Sequence, residues 1–128
     1  GMNNTQKYIL YYAAFCVSID VLDRSTNVFQ KQTGFFGKAY NFPYTDGWSL
    51  FHIAWGSLAS LMDVPFKFYI PLAIANEIIL EQTLCNLSKT YPIIRYSREC
   101  DSVPHMITDI IYGIGGYFLP KVLYTENP

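Results

Sequence analysis

Four apolar stretches divide the chain, and polar residues recur inside them at helical spacing as well as between them. The most telling is Phe66 to Cys85, FKFYIPLAIANEIILEQTLC, apolar along most of its length yet carrying Asn76, Glu77 and Glu81 on successive helical turns. Carboxylates in so apolar a segment are costly unless something answers them. The first stretch, Lys7 to Leu22 (KYILYYAAFCVSIDVL), is short for a membrane span, which takes about 20 apolar residues. Thr5 or Asn4 is in position to cap it, and Asp20, Asp23 and Arg24 close it as a polar end reaching an interface. The second runs from Gly47 to Met62 with Asp46 as its cap. Within it His52, Gly56 and Ser60 fall at i, i+4 and i+8 and share a face. Asp63-Val64-Pro65 then forces a tight turn, because proline pushes the residue before it out of the helical region. The second and third stretches therefore form an antiparallel hairpin. Pro71 is expected to kink the third or end its first turn. The fourth, Pro104 to Tyr124, opens with a proline suited to a first turn. It sets Asp109, Gly113 and Gly116 on one face, where small residues admit a close neighbour; Pro120 bends or ends it.

The predicted class is all-α, an integral membrane four-helix bundle. It forms a single transmembrane domain over residues 1–128, with spans at about 7–22, 47–62, 66–85 and 104–124. Composition agrees: 51% of the residues are hydrophobic and 15% charged, with eleven Tyr and nine Phe suited to bilayer interfaces. A mean hydropathy of +0.13 is modest for a membrane protein, diluted by two polar loops, Asp23 to Thr45 and Asn86 to Ser102. Gly1 before Met2 looks like a remnant of tag cleavage and is set aside, and no cleavable signal pattern is visible. The net charge of −1, with no basic stripe, excludes nucleic acid as an expected partner. The expected partners are membrane lipid and either a homo-oligomer or a larger membrane complex; which membrane is left open.

Four spans put both termini on one side and both long loops on the other. The loops hold Arg24, Lys31, Lys38, Lys89, Arg95 and Arg98 and the opposite side Lys7, Lys67 and Lys121, a bias toward cytoplasmic loops. Cys16, Cys85 and Cys100 form no CxxC and no metal-ligand spacing, and ordinary buried or reduced thiols are expected. A Cys85–Cys100 disulfide is open but has no support in the spacing.

The same topology gathers chemistry. Asp20, His52, Glu77, Glu81 and Asp109 all fall in the loop-side leaflet, at similar depth given about 1.5 Å per helical residue. A carboxylate pair and a histidine in one hydrated pocket suit general acid or base work, with Glu77, His52 and Asp109 as the catalytic candidates. Asp46, Glu81, Arg95, Arg98 and Asp101 are the substrate-binding candidates, the arginines placed at the mouth to hold an anionic headgroup or phosphate. The plainer alternative is that Glu77 pairs with His52 or Arg95 to hold the bundle together. Asp20 is explained cheaply as a helix end, His105 as an interfacial residue, and Trp48 and Trp55 as anchor and packing. A histidine with carboxylates leaves a metal site open, but one His and no HxxxH-type pairing weigh against it, and no metal or cofactor is expected. There is no GxSxG, no P-loop and no Cys/His nucleophile pair.

DGWSLFHIAWG (Asp46 to Gly56), NEIILEQ (Asn76 to Gln82), IIRYSRECDS (Ile93 to Ser102) and ITDIIYGIGGY (Ile107 to Tyr117) follow one another in that order. Together they resemble VanZ-like membrane proteins and a related bacterial membrane family of unknown function. Asp46, His52, Glu77, Arg95, Asp101 and Asp109 match the pattern positions. Where an Asn often precedes the closing glycines in VanZ-like proteins, this chain has Tyr112 and Gly113. The resemblance implies a polytopic membrane protein, one member being associated with glycopeptide-antibiotic resistance, and implies no established reaction. The leading expectation is a site that binds, and in its fuller form processes, a lipid headgroup or lipid-linked phosphate, with catalysis left open. The rivals are a non-catalytic transmembrane subunit or scaffold of a larger assembly, and a soluble domain with unusually apolar helices.

Overall fold

The computed structural model describes residues 1–26, 48–94 and 103–125. Those residues form helices and no strand, so the all-α class stands. Helix α1 spans Asn4–Thr26, α2 Trp48–Leu61, α3 Phe66–Ile74 and α4 Gln82–Thr90, with a π-helical segment, Ala75–Glu81, between α3 and α4; α5 spans Val103–Thr125. Among the described residues, no helix is long and apolar enough to cross a membrane. The polar positions are the reason: Asp20, Asp23 and Arg24 lie in α1, Asp109 and Lys121 in α5, and α2 has only 14 residues.

Both ends of α1 differ from expectation. The cap is Asn3, not Asn4 or Thr5. The Gln6 N–H donates to Asn3 Oδ1 at 2.8 Å and the Asn3 N–H donates to Gln6 Oε1 at 3.0 Å, a reciprocal capping box. The helix does not close at Leu22. Arg24 donates to Asp20 one turn back at 2.8 Å, and its other arm reaches the Ile93 carbonyl at 2.6 Å, so the polar residues extend the helix instead of ending it. Asp23, assigned to the loop, is a buried residue of that last turn.

The turn after α2 is where predicted and has a definite form. Asp63 takes a left-handed φ of 58°, its N–H bonds the Ser60 carbonyl, and the Val64 N–H reaches the Ala59 carbonyl at 2.9 Å. This is a Schellman closure, completed by apolar contact between the two ends of the long bond. Ala59 and Val64 are both fully buried. Pro65 then caps α3 in extended conformation.

Neither internal proline ends its helix. Pro71 lies inside α3 and Pro120 inside α5, which continues to Thr125. Pro71 has no N–H for the Lys67 carbonyl. One turn on, the Ala75 N–H is shared between the Pro71 and Leu72 carbonyls, and the π segment begins. Ala75, Glu81 and Gln82 all keep right-handed helical dihedrals, so Phe66 to Thr90 is one continuous helical run.

The most extensive packing is between α2 and α5. A Cβ on Gly56 would collide with the Gly113 carbonyl, and one on Gly116 with the Ile53 carbonyl, so the two backbones touch there. Ser57 adds a hydrogen bond to the Gly116 carbonyl at 2.9 Å. The small-residue faces predicted on both stretches are this contact. Contacts rise together along both helices, His52 with Asp109 and Gly56 with Gly113, so α2 and α5 run parallel. Helix α1 docks antiparallel through Tyr8, Tyr12 and Phe15, whose rings pack 5.7, 5.1 and 5.2 Å from Trp55. Tyr69 stacks on Tyr117 at 5.0 Å, and the Tyr117 hydroxyl donates to the Val64 carbonyl at 2.6 Å, tying α5 to the hairpin turn.

Candidate functional site

The buried interior is unusually polar. Glu77 is among the largest fully buried side chains, and Asp23, Ser49, Ser60, His105 and Asp109 are buried with it. The outward face carries Ile78, Ile79 and Leu80 of the π segment, Ile107 and Ile111 of α5, and Val17 and Val21 of α1. The site follows from the helix contact. His52 and Asp109 each stand four residues before a glycine of that contact, Gly56 or Gly113, so one turn further along they project side by side. Glu77 comes to them from the π segment of the facing run, and such segments recur at functional positions.

His52 Nε2 lies 3.2 Å from Glu77 Oε1 and 3.5 Å from Asp109 Oδ2. The two acidic side chains are 2% and 4% exposed and the imidazole 19%. The site is therefore walled by carboxylates and reached from the histidine side. Charges in so dry a setting are held by partners of opposite sign or by a metal. One donor or acceptor atom from each of the three residues falls within 4.8 Å of the others, a grouping able to hold a metal ion.

Of the catalytic candidates, His52, Glu77 and Asp109 are brought together. Glu81 follows one turn on, half-buried, in the same π segment. Asp46, Arg95, Arg98 and Asp101 lie outside the described residues. Asp20 does not join the cluster: it is on the exposed side of α1, paired with Arg24. His105, expected at an interface, is buried near the start of α5. Cys85 is not a reduced thiol but half of a disulfide, while Cys16 is free and exposed; Cys100 lies outside the described residues.

Tyr12 was missed by the sequence reading. Its hydroxyl donates to Asn76 Oδ1 at 2.6 Å, fixing the residue beside Glu77, and it sits in the electrostatic field of Glu81 and Glu77. The available signal was the Tyr8, Tyr12, Phe15 spacing, one helical face of aromatic residues turned toward the bundle.

No protein-family model, curated protein or solved structure matches the chain.

Proposed function

We propose that this chain is a membrane-embedded helical bundle whose His52, Glu77 and Asp109 site binds a lipid headgroup or lipid-linked phosphate, with processing of the bound group as the fuller form of that reading. The observation that carries it is the inversion of polarity: carboxylates and histidines inside, isoleucine, leucine and valine outside. In water the hydrophobic effect drives the opposite arrangement. In lipid, ionisable groups turn to the bundle interior and mark functional positions.

The hydropathy of each helix averages over its whole circumference, so the inward Glu77 and Asp109 weigh against residues that lipid would meet. Run by run, α1, Phe66–Thr90 and α5 are each longer than a ~30 Å hydrocarbon core at about 1.5 Å per residue. Helix α2, about 21 Å by the same rule, is shorter, a mismatch that local bilayer thinning accommodates. The resemblance to VanZ-like proteins belongs to the same proposal. The described pattern positions, His52, Glu77 and Asp109, are the residues that converge.

Two measurements test it. The chain should stay with the membrane fraction through an alkaline carbonate wash; recovery in the supernatant without detergent sinks the membrane reading. Purified protein should float with vesicles carrying a phosphate-monoester headgroup. Flotation should fall with Glu77→Gln, and with Arg95→Gln and Arg98→Gln combined. If the doubly substituted protein floats like the parent, the headgroup reading is wrong.

A further inference from the structure

We infer that His52, Glu77 and Asp109 form a zinc-binding site, and, resting on the headgroup reading above, that the zinc supplies the positive charge a phosphate needs there. The first argument is burial. Two carboxylates, 2% and 4% exposed, converge on one imidazole, and buried groups of this kind are paired or coordinate metals.

Geometry is the second argument. Both carboxylate oxygens approach the same nitrogen, Nε2, at 3.2 and 3.5 Å. A single N–H serves one linear hydrogen bond, and 3.2 Å is the long end of the range for such a bond, so one proton cannot hold both oxygens. Ligand atoms around a tetrahedral zinc, at roughly 2.0–2.2 Å from the metal, lie about 3.3–3.6 Å from one another. The two distances fall beside that edge, and all three donors lie within 4.8 Å, a gap closed by small side-chain rotations.

The donor set and its mounting are the third. One imidazole and two carboxylates favour zinc over magnesium, which prefers oxygen ligands and keeps its waters. Three protein ligands leave a fourth position for water or a phosphate oxygen, as in open zinc sites. The ligands stand on α2, the π segment and α5, and two of those elements are locked together by backbone contact at Gly56 and Gly116. A sequence search for HxxxH misses such a site, because each helix contributes one ligand.

The test uses tag-free protein in detergent, stripped with chelator and desalted, then titrated with zinc chloride by calorimetry and assayed for bound metal. One zinc per chain is expected, undiminished by excess magnesium, and cobalt in its place should show the visible absorption of a low-coordinate site. Glu77→Gln and Asp109→Asn should each weaken zinc on the order of 100-fold, since even groups behind the ligands are worth 10–100-fold. Asp20→Asn, on the exposed side of α1 and outside the cluster, should bind as the parent does. Circular dichroism checks folding, and His52→Gln replaces any variant that fails to fold. No stoichiometric zinc in the parent, or parental affinity in the ligand variants, overturns the site. Flotation with phosphatidic acid vesicles in zinc or in chelator separates the two halves. Loss in chelator upholds the zinc bridge, and undiminished flotation in chelator overturns it while leaving the headgroup reading. Stoichiometric zinc without flotation upholds the metal site and overturns the headgroup reading.

Discussion

Replacing Gly56 by alanine adds one methyl group and should dismantle the site from a distance. The new Cβ would meet the Gly113 carbonyl oxygen in hard overlap, the Tyr117 nitrogen at 2.9 Å and the Gly113 carbonyl carbon at 3.0 Å. All three are backbone atoms of α5, so no side chain can rotate away. Relief requires α2 and α5 to move apart by about 1 Å, since carbon contacts relax only near 3.5 Å. Overpacking costs about 1–3 kcal/mol, and rigid backbone puts this case at the upper end. Alanine returns up to about 1 kcal/mol of helix propensity, leaving a net loss near 2 kcal/mol. Gly115 is the internal control. It lies on α5, the other helix of the contact, with nothing within 4 Å of its Cβ position, so Gly115→Ala should gain up to about 1 kcal/mol. The two variants should therefore differ by about 3 kcal/mol, which at this chain length separates their Tm values by roughly 10 °C. Thermal unfolding in detergent followed by circular dichroism reads the difference, and zinc affinity should fall with Gly56→Ala alone. Equal melting of the two variants would refute the backbone contact and with it the account of how His52 meets Asp109.

Tyr12→Phe should cost about 1–2 kcal/mol, because Asn76 loses its 2.6 Å donor in a part-buried setting, and denaturant titration should show the loss. Asp63→Val places a β-branched residue at φ 58° and should destabilise by at least 1–2 kcal/mol (roughly), whereas Asp63→Asn should melt close to the parent. In chelator, Glu77→Gln and Asp109→Asn should melt at or above the parent, since residues kept for function tend to be held at a cost in stability; a drop of several degrees in both would mark the cluster as structural cement. Maleimide should reach Cys85 only after reduction, as mass spectrometry of the labelled peptides would show.

Much of this arrangement was legible because it depends on local rules. The hairpin at Asp63 to Pro65 follows from backbone sterics, and the α2–α5 contact from the spacing of Gly56, Gly113 and Gly116. Up-and-down topology then carried His52, Glu77 and Asp109 to one depth without any knowledge of packing. What escaped depends on contacts between distant positions. Asp20 and Arg24 look like a helix end, yet they pair along the helix and Arg24 finds the Ile93 carbonyl, sixty-nine positions away. His105 has no local feature that announces its burial. The π segment leaves no mark in the hydrophobic pattern, since Ala75–Glu81 reads as ordinary helix on either period. The membrane-spanning expectation rested on stretch lengths, and those lengths changed once Asn3 and Arg24 extended α1 and the third run reached Thr90.

The π segment makes the helical run from Phe66 to Thr90 a phase shifter. Tyr69 upstream and Cys85 downstream both face the interior, and the wider turn between them sets the angle at which each half presents its inward residues. An α-helix advances about 100° per residue. Inserting one residue after the outward Thr83 of α4 would leave every chemical group of the site in the chain yet rotate one half by about that angle. Either Glu77 or Cys85 would then have to leave the interior. The identity of the site thus resides in a count of residues as well as in their kinds, and a single-codon insertion can erase it where many substitutions would not.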